Sequence, residues 1–195
     1  TVHPLSVAEI SKNFSDDIEY IANPKNIRKD EFDALINFGG FAEVYLKCTT
    51  RFHRIWSKQR FEQLFREDVR NTEDINNIYT LELLATIINE QVGALTNYTN
   101  LANKVRASDQ TIRRWLSLLE KHYYCFSIRP WAKNVVRSLI KEPKYYLWDW
   151  SQIKDSGAKF ENLIASHLLK AVYFWNESGL GDLAYVTYVI KKNKK

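Results

Sequence analysis

Two consecutive short segments decide the fold, because together they predict a helix-turn-helix. They read NYTNLANKV at 97–105 and SDQTIRRWLSLLE at 108–120, and the apolar segment LELLATII at 81–88 precedes them. The aromatic segment YYCFSI at 123–128 follows and predicts a strand. Three short helices that run into a strand have the order of a winged helix, a scaffold used most often on nucleic acid.

The third predicted helix has two sides of different chemistry. Its apolar side is formed by residues at helical spacing, namely Ile112, Trp115, Leu116 and Leu119. The opposite side and the basic segment that follows supply the candidate nucleic-acid-binding residues, which are Gln110, Arg113, Arg114, Ser117, Lys121, Lys133 and Arg137. Arginine suits a guanine edge and glutamine an adenine edge, whereas lysine and serine suit phosphate.

A simpler interpretation of these polar residues stays open. Arg113 lies four residues after Asp109, so the two can pair in water while Arg114 only solvates the helix. An exposed pair of this kind contributes about 0.3–0.5 kcal/mol to stability. Winged helices also bind protein, so the pattern alone does not decide between the two kinds of partner.

Positive charge is concentrated in the same part of the chain. The 195 residues carry 28 Lys and Arg against 23 Asp and Glu, a net charge of +5. Residues 102–144 hold 10 basic and 3 acidic groups, a net charge of +7. Residues 1–35 hold 4 basic and 7 acidic groups, a net charge of −3. Such a patch attracts phosphates. The alternative is an ordinary solvated surface.

Several other functions are disfavoured by the sequence. None of the six glycines lies in the Gly-x-x-x-x-Gly-Lys-Ser/Thr pattern that cradles nucleotide phosphates, so we expect no nucleotide hydrolysis by this fragment. Cys48 and Cys125 lie far apart, and we interpret both as small buried residues of a reducing compartment. The histidines have no metal-ligand spacing; they are His3, His53, His122 and His167.

The sequence also lacks signals for membranes and export. No apolar run approaches the roughly 18–20 residues of a membrane helix. No signal peptide is recognisable, so we expect a cytoplasmic protein without a membrane partner. Because the chain contains no methionine, we also expect Thr1 not to be the native N-terminus.

Three regions are predicted along the chain. Residues 1–75 form a helical segment, in which Ser6 and Glu9 make a capping box at the start of a helix over 6–20. Residues 76–150 form the winged-helix domain, in which residues 132–144 hold the wing and its return and residues 145–150 form the second strand. Residues 151–195 begin an α/β segment with a helix at 159–169 and a strand at 183–190.

Six strings spread over nearly the whole chain carry a family resemblance. They are HPLS at 3–6 with Glu9, FGGFAEV at 38–44, NYTNLA at 97–102, the segment 108–119, KEPKYY at 141–146 and GAKFENL at 157–163. In order and spacing they resemble the C-terminal region that follows the ATPase core in predicted AAA-type P-loop ATPases of bacteria and archaea.

The resemblance implies a nucleotide-binding core upstream of Thr1 that this chain lacks. ATP and Mg are therefore expected in that missing core, and no cofactor or metal is expected in this fragment. The resemblance also implies a restriction-endonuclease-like domain, in which Glu161 matches the glutamate of the first helix. Glu161 is thus a weak catalytic candidate. A nuclease centre needs further acidic residues, so a solvated or structural role for Glu161 is the alternative.

We therefore expect a mostly α protein with an α+β part. It comprises a helical N-terminal segment, a central winged helix-turn-helix and the start of an endonuclease-like α/β domain. The expected function is that of a non-catalytic C-terminal fragment of an ATPase that contacts double-stranded DNA. One alternative is a docking module for the ATPase core or another protein, which uses the aromatic strands and the Trp115 side. The other is a remnant of a nuclease-like domain.

Overall fold

The described part of the chain is mostly helical with a small antiparallel sheet. The computed structural model describes residues 3–12, 25–68, 78–130, 142–179 and 184. Within them, helices alternate with short turns, and two strands form the sheet. The expectation of a mostly α protein with a smaller β part is confirmed at this level.

The elements follow one another closely along the chain. The helices are α1 (Val7–Ile10), α2 (Lys29–Phe38), α3 (Ala42–Lys47), α4 (Thr50–Gln63), α5 (Ile78–Glu90), α6 (Tyr98–Val105), α7 (Asp109–Lys121) and α8 (Ser156–Glu177). The strands are β1 (Cys125–Ile128) and β2 (Lys144–Leu147). A π-helical turn, Leu64–Asp68, continues α4, and a 3-10 turn, Trp150–Gln152, precedes α8.

Side-chain caps explain where several helices begin. The Ser6 hydroxyl accepts from the Glu9 N–H while Glu9 accepts from the Ser6 N–H, which confirms the predicted capping box. The Ser108 hydroxyl accepts from the Thr111 N–H at 3.1 Å and confirms the predicted start of α7. The helix predicted over 6–20 is confirmed only for α1, since residues 13–24 lie outside the described part of the chain.

The sheet is short and receives a third segment at one point. β1 and β2 pair antiparallel, with Cys125 opposite Leu147 and Ile128 opposite Lys144. Leu95, between α5 and α6, makes an isolated antiparallel bridge to Lys144. The predicted second strand, 145–150, is wrong at its end, because β2 stops at Leu147. Beyond it the Asp149 carboxylate accepts from the Ser151 N–H at 3.2 Å and caps the 3-10 turn instead.

One asparagine joins α8 to the sheet. Asn162 is fully buried. Its Oδ1 accepts from the Leu147 N–H at 2.7 Å, and its Nδ2 donates to the Leu147 carbonyl oxygen at 2.7 Å. The side-chain amide thus pairs with β2 as another strand would, since it supplies one donor and one acceptor. This contact fixes the position of α8 against the sheet.

The core is built around aromatic and aliphatic side chains from α2 to α8. Trp150 is fully buried, and its indole Nε1–H donates to the Leu35 carbonyl oxygen at 2.9 Å. The chain at Gly40 passes so close to Trp150 that an added Cβ would lie 2.6 Å from the Trp150 Cη2 atom. Glycine is therefore required at residue 40. The predicted boundaries near residues 75 and 150 stay predictions.

The two cysteines differ in burial. Cys125 is buried as predicted, but Cys48 is exposed, so that part of the prediction is wrong. Cys48 caps the C-terminus of α3 in a left-handed conformation with φ of 43°, a position at the surface rather than in the core. In the described residues, no helix has both the length and the apolar character needed to cross a bilayer.

Replacement of Asn162 by leucine tests the link between α8 and β2. Asn162→Leu keeps a side chain branched at Cγ but leaves the Leu147 N–H and carbonyl oxygen buried without partners. We expect the free energy of unfolding to fall by about 2–4 kcal/mol in urea denaturation. Asn103→Ala, at an exposed position of α6, should change it by less than about 0.5 kcal/mol. An unchanged midpoint for Asn162→Leu would contradict this role.

Candidate functional site

The helix pair α6–α7 determines which side chains face outward. The Asn97 side chain accepts from the Asn100 N–H at 2.8 Å and begins α6. Arg106 ends α6 in a left-handed conformation with φ of 55°, which turns the chain sharply before Ser108 caps α7. The predicted apolar side of α7 is buried; it comprises Ile112, Trp115, Leu116 and Leu119, and Leu118 is also buried.

The opposite side of α7 is open to solvent. Five of the predicted site residues are exposed there, and we call them the α7 outer face: Gln110, Arg113, Arg114, Ser117 and Lys121. Lys104 on α6 and Arg106 in the turn are also exposed, so cations extend from α6 onto this helix. The other two predicted residues, Lys133 and Arg137, lie outside the described part of the chain. The binding role of all seven stays a prediction.

Arg113 is oriented by an aromatic ring rather than by a carboxylate. Its guanidinium carbon lies 3.8 Å from the centroid of the Tyr98 ring. Asp109, the alternative partner, accepts from the Thr99 hydroxyl at 2.8 Å. A stacked guanidinium uses its flat surface for the ring and keeps its N–H groups along the edge. The Tyr98 ring therefore holds Arg113 in place, and the guanidinium N–H groups along its edge can donate to a further partner.

The surface that the sequence suggested for protein docking is buried. Trp115 is only 5% exposed, because it packs into the core beneath α7. In the aromatic strands, Phe126, Tyr145 and Tyr146 are buried as well. These side chains pack within this chain, because the two-stranded sheet packs one side against the helices and α8 covers part of β2. Docking through the Trp115 side and the aromatic strands stays a prediction.

Glu161 has structural partners in this fold. Its Oε1 accepts from the Tyr146 hydroxyl at 2.8 Å and lies 3.2 Å from the Lys144 Nζ. The carboxylate also lies against Gly93, where an added Cβ would be 2.9 Å from Oε1. Within the described ranges, no three His, Cys, Asp or Glu side chains are grouped so that they could hold a metal ion. A catalytic role for Glu161 stays a prediction.

A polar network that the sequence did not reveal joins α4 to the 3-10 turn. Asp149 accepts from the Ser151 hydroxyl, and the Ser151 Oγ lies 2.8 Å from the His53 Nε2. The Gln152 amide donates to the Ser57 hydroxyl at 2.6 Å. His53, Ser57, Asp149 and Gln152 line one end of a cleft of about 1090 Å³. No spacing in the sequence links residues that are nearly one hundred positions apart.

The proton positions in this network follow from its partners. A carboxylate only accepts, so the single Ser151 hydroxyl proton is directed to Asp149. The Ser151 oxygen then accepts from His53, which carries a proton on Nε2. A nucleophilic serine has to give its proton to the imidazole instead. The network therefore holds α4 and the turn together and does not activate Ser151.

Comparison with known proteins gives a family without an assigned activity. Residues 29–153 match the profile of a family described as a domain of unknown function (DUF8612). The chain belongs to the DUF8612 family. The DUF8612 match begins with α2, ends just after the 3-10 turn and includes the α7 outer face. No curated protein and no solved structure matches the chain.

The Asp149 network makes a measurable contribution to stability. Asp149→Ala removes the acceptor of the Ser151 N–H and hydroxyl and a neighbour of the Gln152 amide. We expect the free energy of unfolding to fall by about 1–3 kcal/mol in urea denaturation. Lys154→Ala, at an exposed position just beyond the turn, should leave it within about 0.5 kcal/mol. Equal effects of both substitutions would argue against the network.

Proposed function

We propose that this DUF8612 protein binds double-stranded DNA through the α7 outer face. The observation that carries the proposal is the division of α7 into two sides. One side is buried in the core, and the other presents Gln110, Arg113, Arg114, Ser117 and Lys121 to solvent. A surface of arginine, lysine, glutamine and serine suits phosphates and base edges, and the neighbouring Asp109 carboxylate accepts from the Thr99 hydroxyl.

The order of the elements supports a winged-helix interpretation. The chain runs from α5 through the Leu95 bridge, α6, α7 and β1 to β2. In a winged helix the helix at the position of α7 is the recognition helix, which enters the major groove with its N-terminal residues at base edges. On this interpretation Gln110, Arg113 and Arg114 approach the bases. Lys121, at the other end of α7, approaches the backbone.

The Arg113 geometry supports a contact with base or phosphate. Since Tyr98 already holds the guanidinium, less side-chain freedom is lost when its N–H edge meets an acceptor. A bidentate arginine contact with a base contributes about 1–3 kcal/mol of discrimination. The flanking cations Lys104 and Arg106 would add phosphate contacts of lower specificity.

A second candidate function, protein docking, is favoured by a different surface. Phe160, Ile164 and Leu168 follow one another at a spacing of four residues on α8, and each is exposed by 41% or more. Exposed apolar rows of this kind are typical of protein contacts. In this proposal the partner is the ATPase core or another protein, and α7 is not involved.

The larger context of the chain is also a proposal. The resemblance of the quoted strings supports a place after the core of a predicted AAA-type ATPase, in which ATP and Mg would be bound. A remnant of a nuclease-like domain around Glu161 is the weaker proposal, because the partners of that carboxylate are Tyr146 and Lys144.

The salt dependence of duplex-DNA binding tests the DNA proposal. The logarithm of the binding constant should fall linearly with the logarithm of salt concentration, with a slope of about −0.9 per phosphate contact. Arg113→Ala combined with Arg114→Ala should reduce the magnitude of that slope by about one unit or more. The measurement is a fluorescence-anisotropy titration at several salt concentrations.

A matched variant removes the same charge elsewhere. Arg28→Ala combined with Lys29→Ala takes two exposed cations from the start of α2 and should leave the slope nearly unchanged. Equal slopes for the native chain and the Arg113 and Arg114 double variant would refute the assignment of α7. Indifference to DNA at low salt would favour the docking proposal.

A further inference from the structure

The first residues of the described chain lie across α8, and we call residues 3–12 the N-terminal strap. The Leu5 N–H donates to the Gly40 carbonyl oxygen at 2.6 Å. The Lys170 ammonium of α8 binds the Pro4 carbonyl oxygen at 2.9 Å and also the Glu9 carboxylate. These contacts join the strap to α8 and to Gly40 before α3, and Pro4, Val7 and Ile10 add apolar contacts.

A histidine of α8 completes the attachment and fixes its own proton in doing so. The His167 Nδ1 lies 2.8 Å from the Leu163 carbonyl oxygen, which only accepts, so Nδ1 carries the proton. The Val7 N–H, which only donates, lies 2.9 Å from the His167 Nε2. Nε2 is therefore unprotonated and accepts. Only the neutral imidazole with its proton on Nδ1 satisfies both contacts.

Protonation of this imidazole is incompatible with the docked strap. A proton on Nε2 would face the Val7 N–H, and two donors would meet at 2.9 Å. The Val7 amide would lose its acceptor, and the new cation would stand beside the Lys170 ammonium. We propose that His167 makes the N-terminal strap a pH-sensitive latch, docked when the imidazole is neutral and released when it is protonated.

The charged neighbours of His167 set the direction of the effect. Burial lowers the pKa of His167, and the positive charge of Lys170 lowers it further. The hydrogen bond to the Leu163 carbonyl oxygen and the negative charge of Glu9 raise the pKa. The 3-10 turn contributes the Trp150 ring, whose centroid lies 5.9 Å from the imidazole and which carries no charge. The net result is a pKa below the ordinary value of 6.5 in the docked state.

His3, on the strap itself, acts in the same direction. Its ring lies 5.1 Å from each of the rings of Trp148 and Tyr173, measured between centroids. Burial lowers the pKa of His3, and Lys170 lowers it further, whereas Glu177 and Glu9 oppose them. Release of the strap would therefore allow both histidines to take up protons more readily.

The sign of the pH dependence follows from these directions. A released strap leaves His167 near its ordinary pKa of 6.5, so the released state binds protons more strongly. Docking is strongest above that pH and weakens as the pH falls from 6.5 through the lowered pKa. The ratio of released to docked strap can rise at most about tenfold per pH unit for one histidine and about a hundredfold for two. The Glu9 carboxylate, whose pKa is itself lowered, keeps its charge over this range.

A nitroxide spin label on the strap tests the latch in the full chain. Ala8→Cys places the label on an exposed position of α1, and Cys48→Ser removes the exposed native thiol. The paramagnetic resonance spectrum should show a restricted label at pH 7.5 and a mobile label at pH 5, with a midpoint below 6.5. A label that stays restricted at pH 5 would overturn the proposal.

Two substitutions of His167 separate the latch from other effects. Glutamine cannot be protonated, so in His167→Gln the strap should lose the larger part of its pH dependence and keep only the part due to His3. His167→Lys is always cationic, so its strap should already be mobile at pH 7.5. A His167→Gln variant that keeps the native pH dependence would refute the latch, as would a restricted label in His167→Lys.

A second label reports on the rest of the fold. Ser117→Cys in the Cys48→Ser background labels the exposed side of α7, and its spectrum should be the same at pH 7.5 and pH 5. Simultaneous loosening of both labels would mean general unfolding and would contradict a local latch. Glu9→Gln weakens the strap through the Lys170 contact, so it should raise mobility at both pH values.

Discussion

The burial of one side of α7 is the constraint on which the rest of the described structure depends. Ile112, Leu116 and Leu119 are fully buried there, and a helix that buries these positions has no freedom to rotate about its axis. Rotation by one residue, about 100°, would bring arginine toward the core, where an unpaired charge is strongly unfavourable. The polar residues of α7 therefore face solvent as a consequence of packing. The packing of α7 is therefore sufficient to expose the proposed DNA-binding surface.

The sheet and α8 provide the support for that packing. β2 is held from three directions, by β1, by the bridge from Leu95 and by the Asn162 amide. The turn after β2 then brings Trp150 beneath α2 and Asp149 beside α4. Contacts over long sequence separations thus connect the N-terminal helices with the α6–α7 pair. The polar contacts of the strap are a separate attachment, and their strength depends on the charge of His167.

The sequence predicts the structural features that depend on the spacing of residues close together in the chain. The helical period of α7 and the caps at Ser6 and Ser108 are local signals, and each is present in the structure. It does not predict contacts between distant residues. Asn162 has no neighbour in sequence that indicates β2 as its partner, and His167 has none that indicates Val7. The docking alternative through Trp115 and the strand aromatics is not decided by the sequence for a related reason. Aromatic residues suit a core and an interface equally well, and only the tertiary packing distinguishes them.

The most direct measurement is an NMR titration of the isotopically labelled chain with a short DNA duplex at low salt. We expect chemical-shift changes that cluster at the N-terminal half and outer face of α7, around Gln110, Arg113 and Arg114, and at the neighbouring Lys104 and Arg106. The backbone amides of the Asp149 network should be unaffected. Shift changes confined to Phe160, Ile164 and Leu168 on α8, or none at all, would contradict the claim that the α7 outer face binds DNA.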